Sequence, residues 1–244
     1  RILLLLVASV VALFVTPDLR AGLGVWKAYI LDPLLFFLSL LALFEKKDVR
    51  LLIHALGVSA LGVSAYALIQ YPTGLGIPEP WHAWTSRRTT SFYPFPNAVG
   101  LYLAPIVALF IGKYFFDKHS FKFLSFTVVL LGSLAILFSR SDGALVAIFF
   151  VILLSLWFHG KKKFALCVFL ASIVIALLVP QVRSIVTFQD VSGQVRLALW
   201  QGTWNILRDR PLIGAGLAGF PIVYDTYRLA RHTELLQYPH TLFL

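Results

Sequence analysis

The residues of this sequence best suited to chemistry are four arginines and one histidine that stand outside its apolar runs. They are Arg87, Arg88, Arg140, Arg196 and His240. The planar guanidinium of arginine donates paired hydrogen bonds to a phosphate or carboxylate. His240 follows Pro239 where a long polar segment enters a further apolar run, and a neutral imidazole there is able to take a proton from an attacking hydroxyl. The set predicts binding of a phosphate-like anion and activation of an alcohol.

Three of these residues also have a structural interpretation that the sequence leaves open. Asp142, two residues after Arg140, offers a local ion pair, and an unpaired cation at a membrane edge is costly. Arg196 is placed to extend its charged head beside Trp200. His240 is placed to cap the helix that follows it.

Metal and dinucleotide chemistry are disfavoured by what the sequence holds. It has no D-x-D motif, no carboxylate pair suited to acid–base work, and a single cysteine, Cys167, inside an apolar run. We therefore expect neither a metal site nor a cofactor. Residues 214–219 fit G-x-G-x-x-G, but no predicted strand precedes them, as a dinucleotide site requires. We interpret them as a flexible turn.

The composition predicts a membrane protein. Of the 244 residues, 59% are hydrophobic and only 13% are charged, whereas soluble domains carry about 25% charged residues. The net charge of +10 would suggest nucleic acid in a soluble protein. In a chain this apolar it indicates the basic loops of membrane proteins, so no nucleic-acid partner is expected.

Seven apolar runs are predicted to be spanning helices, because lipid leaves no other partner for their backbone amides. They cover residues 2–15, 26–44, 49–70, 98–116, 121–138, 143–158 and 164–179. We expect an all-α polytopic fold with three parts: a helix bundle over residues 1–179, an extracytoplasmic loop over 180–239, and the start of a further helix at 240–244. Because both ends fall in apolar runs, the sequence is expected to be a fragment.

The positions of the basic residues predict the orientation. Three alternate loops hold nine Lys or Arg: Lys46, Lys47, Arg50, Lys113, Lys118, Lys122, Lys161, Lys162 and Lys163. The positive-inside rule makes these loops cytoplasmic. The five candidate residues then share the outer side, where the cations are almost all arginine.

Two outer segments are long enough to build a site. Residues 71–97 hold five prolines, which exclude a regular helix there. Within residues 180–238, Gln194–Arg208 is predicted to be an amphipathic helix, since Leu197, Trp200, Trp204 and Leu207 share one face. Tyr224–Arg231 is predicted to form a second interfacial helix.

Four stretches of the sequence resemble the O-antigen ligase family of polytopic membrane proteins, which also includes O-antigen polymerases. They are residues 90–97 leading into 100–104, residues 139–145, residues 196–200 continuing to 209–217, and residues 238–244. The resemblance implies a GT-C-like fold and a metal-independent glycosyltransferase at the outer face of the bacterial cytoplasmic membrane. The donor would be a glycan on undecaprenyl pyrophosphate, and the acceptor a sugar hydroxyl on lipid A-core or on another glycan.

The resemblance also implies roles for individual residues. His240 matches the family's loop histidine, which is proposed to activate the acceptor. Arg196 matches its loop arginine and would bind the pyrophosphate, and Arg140 corresponds most nearly to its hairpin arginine. In the family that arginine directly precedes Gly-Ala, whereas here Asp142 does, and two residues turn a helix by about 200°. Arg87 and Arg88 are our own candidates for the missing cation.

Three alternatives to an O-antigen ligase stay open at this point. A polymerase uses the same donor chemistry, and the sequence does not separate the two activities. A small-anion transporter would need polar residues inside the helices, which hold few. A non-catalytic scaffold of an envelope assembly would need none of the outer arginines.

Overall fold

This computed structural model describes residues 2–117, 122–189 and 191–229, and most of them are helical. No strand occurs among those residues. Eleven α-helices follow one another: α1 Ile2–Phe14, α2 Leu19–Trp26, α3 Asp32–Leu43, α4 Val49–Thr73, α5 Asn97–Phe116, α6 Lys122–Ser139, α7 Asp142–Phe158, α8 Lys162–Leu178, α9 Pro180–Val186, α10 Val191–Asp209 and α11 Phe220–Tyr227.

Among the described residues, all seven predicted apolar segments are helical, and four helices are long and apolar enough to cross a membrane. These four cover Leu19–Leu43, Lys46–Thr73, Asn97–Phe116 and Lys122–Ser139. The other three, α1, α7 and α8, have 13, 17 and 17 residues. At 1.5 Å per residue, 17 residues reach about 26 Å, slightly less than the ~30 Å hydrocarbon layer. That these three also span remains a prediction.

The second apolar helix begins earlier than predicted, at Leu19 instead of Trp26. The residue before it, Asp18, has extended backbone angles and accepts a hydrogen bond from the Ala21 N–H at 3.0 Å, which is the usual way an aspartate starts a helix. The helix continues through a π-helical stretch, Lys27–Leu31, directly before Pro33. Proline has no N–H to donate, and a local widening of the helix accommodates that loss.

The chain divides into two compact units, which we describe separately. The central unit is Glu45–Ile173, and the terminal unit combines Arg1–Phe44 with Val174–Leu244. The predicted division into a bundle, a loop and a further helix remains a proposal.

Helix α5 is the centre of the central unit. Its residues Val99, Leu103, Val107 and Phe110 are completely buried, and they lie in one core with residues of α4, α6 and α7. Small residues on the neighbouring helices let the backbones approach, as is common between membrane helices. At Gly132 of α6, for example, an added Cβ would lie 2.6 Å from Cγ2 of Val107.

The two ends of the central unit differ in their basic residues. At one end, the segment before α5 meets the α6–α7 hairpin: the Thr89 N–H donates to the Phe138 carbonyl at 3.1 Å. We call this the arginine end, since it holds Arg87, Arg88 and Arg140. The other end of α5 carries Lys113, and nearby Phe115 contacts the His159 ring beside Lys161, with centroids 5.5 Å apart. We call this the lysine end. The arginines and the lysines named here thus lie at opposite ends of this unit, and their placement on opposite sides of a membrane stays a prediction.

In the terminal unit, α10 and α11 form a hairpin with its own small core. Leu199 and Ile206 of α10 pack with Val223 and Tyr224 of α11. Tyr224 is completely buried, because α10 has Gly202 where a Cβ would lie 2.5 Å from the tyrosine ring. The helix predicted at Tyr224–Arg231 is wrong in its start, since α11 covers Phe220–Tyr227; residues 230–231 of the predicted range lie outside the described residues.

The glycine-rich run at residues 214–219 is the turn between α10 and α11, as predicted, but it is not a free flexible turn. It packs on the α1–α2 connection: Thr16 Oγ1 donates to the Leu217 carbonyl, and the Leu217 N–H donates to the Ala12 carbonyl at 3.4 Å. Gly216 has φ +73°, and a Cβ there would lie 2.8 Å from the Thr16 backbone. The glycines serve a close backbone contact, not a dinucleotide.

We predict that Gly132→Ala destabilises the protein, because its new methyl would overlap Val107, which is buried and has no room to move. Overpacking of this kind costs about 1–3 kcal/mol. Gly112→Ala is the matched control, since nothing lies within 4 Å of its added Cβ and alanine favours a helix over glycine by up to ~1 kcal/mol. Thermal unfolding in detergent should shift down for the first variant and not for the second. Equal shifts would contradict the packing described for α5 and α6.

Candidate functional site: the arginine end of the central unit

Arg140 stands in the tight turn that joins α6 to α7. Its φ is +51°, a left-handed conformation uncommon for any residue but glycine. Its side chain is exposed. Among the described residues no ion pair joins Arg140 to Asp142, so the predicted local ion pair is not formed. The concern about helical rotation does not apply, because Arg140 lies between two helices.

Arg88 holds this turn from the side. Its Nε donates to the Ser139 carbonyl at 2.9 Å, and its Nη2 donates to the Arg140 carbonyl at 3.1 Å and to Asn97 Oδ1 at 2.7 Å. Asn97 is the first residue of α5. One guanidinium thus joins the end of α6, the Arg140 turn and the start of α5.

The electrostatics place three charges close together here. Burial lowers the pKa of the Arg88 guanidinium from its ordinary value; Asp142 opposes this change, and Arg140 adds to it. Arginine keeps its charge in proteins even when its pKa is lowered. With Arg88 and Arg140 positive and Asp142 negative, the group has a net positive charge and favours an anion.

Arg87 points the other way, into the protein. Its side chain is buried; its Nη1 donates to the Tyr71 carbonyl at 2.9 Å and to the Pro72 carbonyl at 3.3 Å, and its Nε donates to the His82 carbonyl at 3.0 Å. Its guanidinium carbon also lies 4.9 Å from the centre of the Trp84 ring. The structure therefore assigns to Arg87 two carbonyl partners at the end of α4 and one, His82, in the loop that follows.

The segment that carries both arginines is fixed by a buried glutamine, Gln70 of α4. Its Oε1 accepts hydrogen bonds from the N–H groups of Thr90 at 3.1 Å and Ser91 at 2.7 Å, and its Nε2 donates to the Ser91 carbonyl at 3.2 Å. Ser91 has φ +51°, and its hydroxyl donates to the Val63 carbonyl at 2.8 Å. These bonds hold a strained residue two positions before Tyr93 and three after Arg88.

The first turn of α7 adds a second feature that favours an anion. Its leading N–H groups have no partner within the helix, and they carry the positive end of the helix dipole. Ser141 precedes this turn, and the Ser141 hydroxyl is buried without a hydrogen-bond partner among the described residues. Gly100 of α5 lies against it, where a Cβ would be 2.6 Å from Ser141 Cβ. Helix N-termini of this kind bind phosphate in many proteins.

Arg196 lies in the terminal unit, on the exposed side of α10. The adjacent stripe of α10, with Leu199, Thr203 and Ile206, is buried, and Leu199 and Ile206 pack with α11. The predicted apolar face of Leu197, Trp200, Trp204 and Leu207 is partly open: Leu197 is 39% and Trp204 58% exposed, whereas Trp200 packs against the α10–α11 core. Helix α10 has two apolar faces, one for packing and one open to the surroundings.

The remaining predicted residue, His240, lies outside the described residues. Of the five candidates, the structure brings Arg88 and Arg140 together and places Arg87 on the same segment, one residue earlier. Among the described residues no group of three or more His, Cys, Asp or Glu is arranged to hold a metal ion.

Comparison with known families bears on the second half of the chain. Residues 126–244 match the family model described as O-antigen ligase. This match supports assigning the chain to the O-antigen ligase family. No curated protein and no solved structure matches it. Together, the match and the apolar helices indicate a multi-pass membrane protein, and the match supports a glycan-related function.

The sequence did not predict two residues of this arginine end: Gln70 as the support of the segment and Asn97 as the partner of Arg88. A signal for Gln70 exists, because it is a lone amide at the end of a long apolar run. Amides in such positions have few solvent partners and usually bond to the backbone. Nothing local in the sequence connects Gln70 to Ser91, 21 residues away.

We predict that Gln70→Leu loosens the segment before α5, because it leaves the buried N–H groups of Thr90 and Ser91 without an acceptor. Each unsatisfied group costs about 1–3 kcal/mol. Trypsin should then cleave after Arg87 and Arg88 faster than in the parent protein. Ser64→Ala is the control, since the buried Ser64 hydroxyl bonds only to the Ala60 carbonyl of its own helix. Unchanged cleavage in Gln70→Leu would mean that the segment is held by other contacts.

Proposed function

We propose that this protein transfers a glycan from undecaprenyl pyrophosphate to a sugar hydroxyl at the outer face of the bacterial cytoplasmic membrane, as an O-antigen ligase. The observation that carries the proposal is the arginine end of the central unit, a net positive group beside a helix N-terminus, in a chain that matches the O-antigen ligase family model. The arginine end faces outward in this proposal, because the lysine end fits the cytoplasmic side by the positive-inside rule.

The proposed reaction is a substitution at the anomeric carbon of the donor. The acceptor oxygen forms a bond to that carbon, and the bond from the carbon to the pyrophosphate oxygen breaks. The acceptor proton passes to His240, and the carrier lipid leaves as its pyrophosphate. Pyrophosphate is a good leaving group that needs no proton, so the protein has to stabilise its negative charge rather than protonate it.

Arg140 and the first turn of α7 are suited to that charge. The Arg140 side chain is exposed in a fixed turn, and the leading N–H groups of α7 lie directly after it. Fixed donors at the membrane edge act in a low dielectric, where they stabilise a developing charge without reorganising. Arg196 is proposed as a second ligand of the pyrophosphate, and His240 as the base that activates the acceptor.

The exposed apolar face of α10 supports a position at the lipid headgroups for this helix. Trp204 and Leu197 present apolar surface, while Arg196 and Arg208 are charged and exposed on the same helix. Tryptophan is enriched at the level of the headgroups, and amphipathic helices lie in that plane. A lipid-linked donor arriving from within the bilayer would meet α10 there.

Among the alternatives, a polymerase that joins glycan repeats uses the same donor chemistry and the same residues. For the small-anion transporter, two of the few polar residues inside the helices are already engaged: the hydroxyls of Ser64 and Ser172 each donate to a carbonyl of their own helix.

We predict that Arg140→Gln and Arg196→Gln each lower glycan transfer in a reconstituted assay with a lipid-linked donor. Removal of one fixed donor to a developing charge typically costs about 10²–10³-fold in rate. Arg50→Gln at the lysine end and Arg183→Gln in α9 are matched controls, with transfer expected within about twofold of the parent protein, the scatter of surface substitutions. Full transfer in both Arg140→Gln and Arg196→Gln would refute the residue assignment.

We also predict a pH dependence from His240. The imidazole accepts the acceptor's proton only in its neutral form, and histidine loses its charge between about pH 5 and 8. Transfer should therefore rise with pH over that range, and His240→Gln should lower transfer and remove the rise. A His240→Gln protein that keeps the parent pH profile would assign the titration to another group.

A further inference from the structure

Two consecutive arginines each bind the C-terminal end of a different helix. Arg87 donates to the carbonyls of Tyr71 and Pro72 in the last turn of α4, and Arg88 donates to the carbonyls of Ser139 and Arg140 at the end of α6. The last four carbonyls of a helix have no partner within it, and they carry the negative end of the helix dipole. A cation placed there donates hydrogen bonds to the unpaired carbonyls and offsets the negative end of the dipole.

The two helix ends lie side by side, which is why adjacent residues reach both. The rings of Tyr71 in α4 and Phe138 in α6 stack with centroids 4.1 Å apart and planes within 9°. The Thr89 N–H, next to Arg88, donates to the Phe138 carbonyl. Arg87 and Arg88 therefore stand on a short extended stretch that runs across the ends of both helices.

We infer that Arg88, oriented by Asn97, is a positioning residue that fixes the left-handed turn of Arg140. In the same way, Arg87 fixes the C-terminal end of α4. The inference adds to the proposed function. Of its two experiments, only the one that measures glycan transfer rests on that function. It revises our expectation that both arginines bind the pyrophosphate directly.

The geometry of the bonds explains why arginine is required at position 88. Its Nε and Nη2 reach three oxygens: on Ser139 at the end of α6, on Arg140 in the turn after it, and on Asn97 at the start of α5. A guanidinium presents its donors in a fixed plane, whereas the ammonium of lysine is a single point of charge on a flexible chain. Two of the three oxygens belong to the residues that set the direction of the Arg140 side chain. Without that support, a non-glycine residue at φ +51° would relax toward a more favourable conformation.

The first experiment measures hydrogen exchange of backbone amides in the protein reconstituted in nanodiscs, without any substrate. Arg88→Gln should raise exchange about tenfold in the α6–α7 hairpin, residues 137–145, and leave the end of α4 unchanged. Arg87→Gln should do the reverse, with faster exchange near residues 70–77. Asn97→Ala, a milder change, should raise exchange in the hairpin less than Arg88→Gln does, and it replaces Arg88→Gln if that variant does not fold. Equal exchange in all variants, or equal rises at both helix ends, would overturn the inference.

The second experiment is a double-substitution cycle on transfer, with Arg88→Gln, Arg140→Gln and the pair together. A residue that acts through another has no further effect once that residue is removed, whereas two independent ligands give effects that add. We expect Arg88→Gln to raise the KM for the lipid-linked donor in the parent protein but not in the Arg140→Gln background. Arg88→Lys should recover little of the loss. Additive effects would identify Arg88 as a direct ligand of the donor.

The two experiments separate this inference from the proposed function. If Arg140→Gln has no effect on transfer, the assignment of Arg140 to the pyrophosphate fails, while the exchange measurement still decides whether Arg88 fixes the turn. Arg140→Gln also serves as the exchange control: Arg88 binds the backbone carbonyl of residue 140, so the hairpin should stay protected in that variant.

Discussion

The arginine end of the central unit depends on one constraint: the carbonyl groups at the end of a helix need partners. In a membrane protein this need is greatest near the apolar layer, because water is scarce there. Here the partners of two helix ends are the guanidinium groups of Arg87 and Arg88. The same bonds fix the segment before α5 against α4 and α6, and they hold the turn from which Arg140 extends. One set of hydrogen bonds therefore caps two helices, fixes the segment before α5 and sets the geometry of the candidate site.

A second constraint, close packing, lets those helix ends meet. Glycines stand where a helix approaches a large side chain or another backbone, as Gly57 does at Phe110 and Gly202 does at Tyr224. Between lipid-surrounded helices the hydrophobic effect adds little, so close contact is what holds them together. The glycine-rich turn after α10 follows the same rule. Gly216 permits contact with the backbone of Thr16. The G-x-G-x-x-G run, which binds phosphate in dinucleotide-binding proteins, here connects the α10–α11 turn to the α1–α2 connection within the terminal unit.

Much of the fold could be predicted from the sequence, and the misses have specific physical causes. Six of the seven apolar helices begin and end within about four residues of the predicted limits, since apolar length is a direct signal for a helix in lipid. The second helix begins seven residues early because Asp18 caps it. The prediction followed the apolar pattern and did not use this capping signal. The start of helix α11 was predicted too late because the Tyr- and Arg-rich run from Tyr224 is typical of an interfacial helix. Tyr224 is buried against Gly202, which lies 22 residues away in the sequence.

The sequence by itself determined the apolar, helical class of the protein, the order of its basic loops and its resemblance to the O-antigen ligase family. Those properties follow from composition, from the order of charged loops and from short local motifs, none of which needs a contact between distant residues. Only the tertiary structure decided what each arginine does. Arg87 and Arg88 are neighbours with the same chemistry. Yet Arg87 is buried at the end of α4, whereas Arg88 donates hydrogen bonds to the turn of Arg140. The difference comes from which helix end each side chain meets, and that depends on how α4, α5 and α6 pack.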